Sequence, residues 1–435
     1  MENQENKTEV IVVGGGPAGI SCAITLARAG KQVILIERGK FSGSKNVFGG
    51  AIYAQPTREI FPDFEENAPL ERKNIEHKYA LLGEEDATVI SYKKRHENPV
   101  SYTVIRGKFD RWMADEAKKA GVILVEETVV RELIVQDGFV KGVRTELEEY
   151  YSDIVVLADG VNSLLAKQIG LRGDLSPEDV ALSVKEVLKL PQEVINERFH
   201  VNDDEGCIYE IFGGPMLGML GLGFLYTNKN SVSIGLGVTL SELIEKGIRP
   251  YDLLDKLKSH PEIAPLIKDG ELLEYSAHLI PEGGYKKVPL LFGAGVMVCG
   301  DAAMFVNNMH WEGTNLAMIS GKIAGETAVI ALGKQDFSET ALSHYQEELE
   351  NSFIIKDLRT YKDLMGGIQE RVEEFLGYYP KKINSFFEMF TSVDSVPKRE
   401  KYHKFIKSIF TDRKISELFK DFLTAVKLLW SILIK

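Results

Sequence analysis

The chain has 435 residues, 44% of them hydrophobic and 27% charged, which is enough for two or three globular domains with a substantial core. Its formal net charge of −12 excludes nucleic acid as an expected partner, because phosphate binding needs basic surface. Cys22, Cys207 and Cys299 lie far apart and the histidines are scattered singly, so no metal site is expected in this chain.

The N-terminal residues and the hydropathy pattern bear on location. Residues 1–9 are polar, so we expect no signal peptide. No apolar run reaches the ~18 residues that a membrane-spanning helix needs. The separated cysteines in apolar surroundings suit buried thiols in a reducing compartment. The chain is therefore expected in the cytoplasm.

A βαβ unit is predicted at the start of the chain. Residues 9–13 are β-branched and apolar, which predicts a buried strand, and they lead into the G-x-G-x-x-G sequence at 14–19. The next pattern predicts a helix over 17–29 that ends at Gly30. A second strand, 32–36, follows. This order of elements is typical of a dinucleotide-binding fold.

Each motif residue of this unit has a chemical role in dinucleotide binding. Gly14 permits the tight turn, Gly16 lets backbone approach a pyrophosphate, and Gly19 allows close packing of helix on strand. The helix start supplies backbone N–H groups and a positive dipole end. Glu37, after the second strand, can accept a hydrogen bond from a ribose hydroxyl. The alternative is a plain structural glycine-rich turn.

The number of nucleotide domains follows from the middle of the chain. A predicted strand at 154–157 ends in Ala158-Asp159-Gly160 and lacks a glycine triad. We therefore expect the chain to bind one dinucleotide rather than two.

A second half-site is predicted near residue 300. An apolar strand from Val296 enters Gly300-Asp301, and Gly313-Thr314-Asn315 opens a long helical pattern. In FAD, Asp301 can accept from ribityl hydroxyls, and the helix start can aim N–H groups at the flavin N1–O2 edge. The alternative is an ordinary strand–loop–helix with a capping Thr or Asn.

These motifs resemble the group-2 flavoproteins of the p-hydroxybenzoate-hydroxylase type. Within that group the chain resembles the electron-transfer-flavoprotein:quinone oxidoreductases, and specifically their FixC-type subunit. The likeness extends over about residues 9–377. Its most specific stretches are GSKN leading to GG at 43–50, GFLYTNK at 223–229, PEGGY at 281–285 and EGTNLAM at 312–318.

The residues and this resemblance together imply a set of FAD contacts. Arg106 precedes a predicted helix start at 109–112, where a guanidinium could meet the cofactor; the alternative is a solvated surface arginine. His310 and Trp311 are expected near the flavin, although such a histidine is more often simply packed. The full set of expected FAD contacts is Gly14, Gly16, Pro17, Ala18, Gly19, Glu37, Arg38, Phe48, Gly49, Ala51, Arg106, Val130, Asp159, Asp301, Gly313, Thr314 and Asn315.

A substrate domain is predicted from two insertions into the flavin domain. Residues 70–102 and 180–286 read as alternating strands that would pair into an antiparallel sheet. The Met- and Gly-rich stretch 213–224 suits an apolar quinone pocket, and ordinary sheet core is an equal alternative. The expected quinone contacts are Gly221, Gly223 and Phe224.

The C-terminal region is aromatic and basic. From residue 352 onward it holds 14 of the 40 aromatic residues, and residues 397–435 carry a net charge of +6 while the remainder carries −18. Residues 414–435 predict a basic amphipathic helix. Such a helix can lie in a membrane interface or can pack on its own domain or a partner.

The predicted fold class is α/β. It has a Rossmann-type FAD-binding domain at 1–69, 103–179 and 287–345, and an inserted antiparallel-sheet quinone domain at 70–102 and 180–286. An aromatic-rich helical region follows at 346–435.

The resemblance implies an enzyme that takes electrons from an electron-transfer flavoprotein and reduces a membrane quinone with FAD. Fused relatives carry an iron–sulfur domain with cysteine ligands, which this chain lacks, so a separate ferredoxin-like protein of the FixX type is implied. The enzyme would sit peripherally on the inner face of the cell membrane. The alternatives are a geranylgeranyl-reductase-like lipid double-bond reductase and an aromatic monooxygenase.

Overall fold

A computed structural model of the protein describes residues 7–45, 50–216 and 218–433. The chain forms two compact units. The first contains residues 1–73, 96–181 and 277–359, and the second contains 74–95, 182–276 and 360–435. The helical region predicted at 346–435 is thus divided: residues 346–359 fall in the first unit and the later ones in the second.

The strands, in chain order, are β1 (Lys7–Val13), β2 (Val33–Ile36), β3 (Ala51–Tyr53), β4 (Leu70–Leu82), β5 (Ala87–Lys93), β6 (Ser101–Val104), β7 (Ile123–Val125), β8 (Val130–Gln136), β9 (Phe139–Thr145), β10 (Glu149–Leu157), β11 (Val180–Lys189), β12 (Glu205–Gly213), β13 (Gly221–Thr227), β14 (Ser231–Thr239), β15 (Glu271–Pro281), β16 (Phe292–Gly293) and β17 (Val296–Val298).

The helices are α1 (Pro17–Arg28), α2 (Ala54–Ile60), α3 (Phe64–Asn67), α4 (Arg106–Lys119), α5 (Leu164–Gln168), α6 (Gln192–Phe199), α7 (Leu240–Lys246), α8 (Pro250–Ser259), α9 (Ala264–Ile267), α10 (Thr314–Lys334), α11 (Glu339–Leu342), α12 (His344–Asn351), α13 (Phe353–Thr360), α14 (Leu364–Gln369), α15 (Tyr379–Thr391), α16 (Lys398–Asp412) and α17 (Ile415–Leu433).

A parallel sheet is the centre of the first unit. Its order is β17–β10–β1–β2–β7, with β16 antiparallel to β17 and a β8–β9 hairpin attached to β10. The register pairs Val13 with both Leu157 and Ile36, so β1, β2 and β10 end at the same level. The residues that follow these carboxyl ends therefore meet at one edge, as expected for a doubly wound α/β fold, and the predicted fold class is confirmed.

Two helices, α1 and α10, pack against each other with almost no side chain between them. A methyl group at Gly321 would lie 2.0 Å from the carbonyl oxygen of Ala18, and one at Gly325 would lie 2.9 Å from that of Cys22. By length and apolar composition α10 could cross a membrane, contrary to the expectation that no segment was long enough. However, most of α10 is buried in the core of the first unit, as expected for a core helix.

The second unit is built on an antiparallel sheet with one helix-covered face. β12, β13 and β14 pair antiparallel in sequence, and β5 pairs antiparallel with β4. Leu253, Leu254 and Leu257 of α8 pack in a core with Leu225 of β13. Helices α6 to α9 interrupt the strands of this unit, which the sequence analysis did not predict. Their apolar side chains cover the sheet.

The last helices belong to two different cores. Tyr345, Leu349 and Ile354 of α12 and α13 are buried in the core of the first unit, which explains why residues 346–359 group with it. In the second unit, buried Asn384 of α15 accepts a hydrogen bond from Thr88 Oγ1 at 2.7 Å and donates to the Leu81 carbonyl at 3.2 Å. These contacts attach α15 to the β4–β5 hairpin.

The contact of α1 with α10 yields a stability prediction. Gly321→Ala should destabilise the folded protein by about 1–3 kcal/mol, because the added methyl group meets backbone that has no space to move. Gly333→Ala in the same helix is the matched control: nothing lies within 4 Å of its methyl position, and alanine favours helix by up to about 1 kcal/mol. Thermal unfolding of both variants measures the difference. Equal midpoints would contradict the packing argument.

Candidate cofactor site

The glycine-rich turn lies at the carboxyl end of β1. Gly14 has φ +106°, and a methyl group there would lie 2.2 Å from the carbonyl oxygen of Ala158. A methyl group at Gly19 would lie 1.9 Å from the carbonyl oxygen of Gly14. The first glycine thus makes the tight turn and the third makes the close packing that the sequence analysis described.

The start of α1 is open to an anion. Gly16 precedes the helix, no side chain caps it, and Pro17 occupies its first turn without an acidic residue beside it. The first backbone N–H groups of a helix lack intrahelical partners and lie at the positive end of the dipole. Gly16, Ala18 and Gly19 therefore could hold a pyrophosphate.

Glu37 is held beside the glycine turn by backbone donors. Its two carboxylate oxygens accept hydrogen bonds from Gly15 N–H at 2.8 Å and from Gly39 N–H at 2.6 Å. An ionised carboxylate has about four acceptor positions, so it can still accept from a ribose. The buried hydroxyl of Ser42, close to Gly15, has no hydrogen-bond partner among the described residues.

The residues after Glu37 extend the same edge. The backbone of Glu37 pairs with Val125 at 2.8 Å and with Thr128 at 3.0 Å, which brings the segment leading into β8 next to it. Val130 is the first residue of β8 and is partly buried, so it could line an adenine site. Arg38 is exposed, and Ala51 begins β3. Phe48 and Gly49 lie outside the described residues.

Asp301 lies in a 3₁₀ turn directly after β17. Its turn is attached to α10, because Gly300 N–H donates to Ser320 Oγ at 3.0 Å. Burial raises the pKa of Asp301 to about 6, and the charge of Arg106 partly offsets that shift. Among the described residues, none lowers the pKa of Asp301 by a hydrogen bond to its carboxylate. It therefore has acceptor positions that a polyol chain could use.

Arg106 is buried, with only 4% of its surface exposed. It forms a two-point ion pair with Asp110: Nε lies 2.7 Å from Oδ1 and Nη2 lies 2.9 Å from Oδ2. The alternative of a solvated surface arginine is therefore wrong. The carboxylate of Asp110 compensates the buried charge of the guanidinium. The sequence analysis did not include Asp110, although its i,i+4 spacing was a usable signal.

The sequence analysis did not include His278, which lies near Arg106 and Arg38. Burial lowers the pKa of His278, and the charges of Arg106 and Arg38 lower it further. His278 is therefore neutral at physiological pH and does not add to the positive charge. It is a single histidine in a strand, so nothing in the sequence indicated this environment.

The start of α10 is a second open helix terminus. Gly313 precedes the helix and no side chain caps it, so the alternative of a capping Thr or Asn is wrong. Asn315 Nδ2 donates to Glu312 Oε2 at 3.0 Å, while its buried Oδ1 has no partner among the described residues. Thr314 is buried beside it. The helix start could therefore meet a polar ring edge.

The remaining predicted site residues of the first unit have different environments. Asp159 accepts a hydrogen bond from Ser163 Oγ at 3.0 Å, and burial raises its pKa to about 6. His310 and Trp311 are exposed, so the expectation of a simply packed histidine is wrong. Burial raises the pKa of Asp357, and the nearby His310 partly offsets that rise.

The predicted quinone residues divide between the two faces of the second-unit sheet. A methyl group at Gly223 would contact Ile211, Leu257 and Met216, so Gly223 faces the helix-covered core. Phe224 points to the opposite face, where its ring stacks on that of Tyr226 with centroids 4.8 Å apart. The core alternative therefore holds for the Met- and Gly-rich run, and Phe224 belongs to the other surface.

The polar groups of the first unit fit FAD. They offer two open helix starts, the acceptors Glu37 and Asp301, and the unpaired atoms Ser42 Oγ and Asn315 Oδ1. A dinucleotide has a pyrophosphate, ribose and ribityl hydroxyls and a polar flavin edge, which match these groups in kind. Bound FAD supplies one- and two-electron redox chemistry.

Comparisons with known proteins agree with this site. Residues 7–205 match the family "FAD binding domain", residues 180–280 match "ETF-QO, ubiquinone-binding", and residues 365–430 match "ETF-QO/FixC family C-terminal domain". The second and third matches lie outside the glycine-rich motif, so they are independent of it.

The most similar relatives include FixC proteins. The chain is 43% identical to Protein FixC of Bradyrhizobium diazoefficiens over 96% of this chain and 98% of that one. It is 38% identical to the probable electron transfer flavoprotein-quinone oxidoreductase YdiS of Escherichia coli over 90% and 92%.

Solved structures share the fold. A geranylgeranyl bacteriochlorophyll reductase-like protein from Thermoplasma acidophilum has a TM-score of 0.71 at 20% identity over 96% of this chain and 98% of that one. The flavin-dependent brominase Bmp2 has a TM-score of 0.62 at 16% identity over 94% and 100%. The family matches and the FixC relatives show that the chain belongs to the ETF-QO/FixC family of FAD-dependent oxidoreductases.

Proposed function

We propose that this chain accepts electrons from an electron-transfer flavoprotein and passes them through FAD to a membrane quinone. The observation that carries this proposal is the match of residues 180–280 to the ubiquinone-binding family, in a chain whose first unit has an FAD-type site. The similarity to the Thermoplasma reductase-like protein is one of fold at 20% identity, and it does not favour lipid reduction. The family relatives favour the quinone.

The electrons are proposed to arrive through a separate ferredoxin-like iron–sulfur protein of the FixX type. All three cysteines of this chain are buried, and burial raises the pKa of each thiol, to about 12 for Cys207. Cluster ligands are thiolates grouped around one centre. Buried and protonated thiols are unsuited to that task, so a partner would supply the cluster.

We assign the FAD contacts by chemistry. The α1 start at Gly16 and Ala18 binds the pyrophosphate, and Glu37 accepts from the adenosine ribose. Asp301 accepts from the ribityl chain. The α10 start, from Gly313 to Asn315, donates to the flavin edge and favours negative charge there. The charge of Arg106 partly offsets the rise that burial causes in the pKa of Asp301. The further proposed contacts are Gly14, Pro17, Gly19, Arg38, Phe48, Gly49, Ala51, Val130 and Asp159.

Membrane attachment is proposed for the C-terminal helices, because α17 packs by the side that carries Asp421 and leaves its apolar side exposed. Asp421 is buried and is bound by Arg371, by Arg413 at 3.1 Å and by the Tyr379 hydroxyl at 2.9 Å. The apolar side is exposed instead: 58% of Trp430 and 60% of Phe422 are accessible. The other exposed apolar residues of α17 are Ile415, Phe419, Leu423, Val426, Leu429 and Leu433.

Neighbouring helices add to this apolar surface and to its charge. Phe387 and Phe390 of α15 and Ile406 and Phe410 of α16 are also exposed. Residues 397–435 carry a net charge of +6. Exposed aromatic and aliphatic groups among lysines match the interface of an anionic bilayer, where a long-tailed quinone resides. We therefore propose that the protein is located at the inner face of the cell membrane.

Removal of the Asp301 carboxylate should weaken FAD retention. Hydrogen bonds to a charged group are worth about 1.5–3 kcal/mol, so Asp301→Ala is expected to raise the FAD dissociation constant about 10- to 100-fold. Asp336→Ala, at an exposed acid of the same unit, is the control. The ratio of FAD to protein after gel filtration measures the effect. Equal ratios for both variants would contradict the proposed role.

The separate iron–sulfur partner gives a kinetic prediction. Reduced electron-transfer flavoprotein alone should reduce the FAD of this chain slowly, because the relay between the two flavins is missing. Addition of the ferredoxin-like protein should accelerate flavin reduction, which anaerobic stopped-flow absorbance measures. A full rate in its absence would show that this chain needs no such partner.

Membrane attachment is tested best by substitution, because deletion of α17 would leave Arg371 without Asp421. Leu429→Glu combined with Trp430→Glu should weaken binding to anionic phospholipid vesicles at least about tenfold, since two apolar anchors become acids. Leu147→Glu changes another highly exposed leucine, in the first unit, and should have no effect. Vesicle co-sedimentation measures binding, and FAD content checks folding. Unchanged binding would place the contact elsewhere.

A further inference from the structure

A buried carboxyl lies on the face of the second-unit sheet that is opposite the helix-covered core. Glu210 of β12 pairs with Phe224 of β13 in the antiparallel register. Its neighbours Tyr209 and Ile211 point into the helix-covered core, and alternate side chains of a strand point to opposite faces. Glu210 therefore shares the face of the stacked Phe224 and Tyr226 rings.

The space for this aromatic pair comes from a glycine. A methyl group at Gly235, opposite Phe224 on β14, would lie 2.3 Å from the Phe224 ring. Glycine at that position lets the ring lie flat across the neighbouring strand. Phe224 is buried, so the partly exposed ring of Tyr226 is the part of this pair on which another planar ring could stack. Glu210, Phe224 and Gly235 all lie within the segment that matches the ubiquinone-binding family.

Glu210 is unusually placed for a carboxyl group. Its Oε2 atom is buried and has no hydrogen-bond partner among the described residues. Its Oε1 atom lies 4.0 Å from Nδ1 of half-exposed His77, and the exposed Tyr79 hydroxyl donates to the carboxyl group. Burial raises the pKa of Glu210 to about 7, and Tyr79 partly offsets the shift.

Within the described part of the chain, no charged group beside Glu210 offsets the effect of burial on its pKa. Of the described residues, His77 and Tyr79 of β4 and Tyr226 of β13 are the titratable groups close to it; burial lowers the pKa of His77 and raises those of both tyrosines. All three are therefore uncharged at neutral pH. Without a cation beside it, the carboxyl group holds its proton up to about pH 7 and can act as an acid.

We propose that Glu210 is the proton donor to a quinone carbonyl oxygen on this face, an inference that rests on the proposed function. Reduction of a quinone to a quinol takes two electrons and two protons. The electrons come from the reduced cofactor. The Glu210 O–H bond breaks as an O–H bond forms on the near carbonyl oxygen, and water protonates the far one. The carboxylate then regains a proton from water through His77 and Tyr79.

The test separates proton delivery from electron delivery. Protein with its FAD reduced anaerobically by dithionite is mixed either with a short-chain quinone, which needs protons, or with ferricyanide, which takes an electron alone. Glu210→Gln keeps the shape and loses the acid. Its quinone reduction should slow about tenfold or more, whereas its ferricyanide rate should stay that of the unsubstituted protein.

A matched control lies on the other side of the same sheet. Glu262 is a partly buried glutamate whose pKa is also raised by burial, and it lies near Lys78 and Tyr209 on the core side. Glu262→Gln should leave both rates unchanged. The pH profile adds a second readout: quinone reduction by the unsubstituted protein should fall as pH rises through about 7, as Glu210 loses its proton. Glu210→Gln should lack that fall.

Each other outcome is decisive. Equal losses with both acceptors would mean that Glu210 serves the structure, and an unchanged quinone rate would mean that it donates nothing; either result overturns the inference while quinone reduction itself stands. If the unsubstituted protein reduces ferricyanide but no quinone, the proposed function fails and the inference fails with it.

Discussion

Contact between backbones at the edge of the parallel sheet is the constraint on which the first unit depends. Gly14 meets the Ala158 carbonyl, Gly19 meets the Gly14 carbonyl, and Gly321 meets Ala18, each at a distance that no side chain permits. These contacts bring the start of α1 against β10 and hold α10 against α1. Since the first N–H groups of a helix are its binding groups, the contacts that fix the helices also fix where an anion and a flavin edge would bind. Stability and cofactor binding therefore depend on the same few glycines, and a substitution there should affect both.

In the second unit, the two faces of one sheet have different environments. Alternation along β12 sends Tyr209 and Ile211 into the apolar core and Glu210 to the opposite face. The same strand thus carries a side that packs in the core and a side where burial raises the pKa of a carboxyl group to about 7. In α17 the polarity is reversed: buried Asp421 is compensated by two arginines and a tyrosine, and the apolar residues are left outside. These contacts attach the helix by the side that carries Asp421.

Local chemistry explains which parts of this arrangement could be predicted from sequence. The turn at Gly14 and the helix from Pro17 follow from short-range patterns, and the sequence predicted them to within a residue or two. The amphipathic pattern of residues 414–435 likewise predicted α17, but not which side faces the domain, because that depends on Arg371, which is 50 residues from Asp421 in the chain. The role of Arg106 was left open for the same reason: its burial follows from tertiary packing. Helices α6 to α9 were missed because their short apolar stretches lie between strands and have no long helical period.

The uneven charge of the chain gives the exposed apolar face of α17 a further role. Residues outside 397–435 carry −18, so an anionic bilayer repels most of the molecule, and the +6 tail is the part that it attracts. Screening limits both effects to within roughly 8 Å at physiological salt, so the attraction acts only once the tail is near the surface. The repulsion of the rest then opposes any other orientation. In the proposed membrane attachment, charge would select which side approaches, and the apolar residues would supply the adhesion after contact.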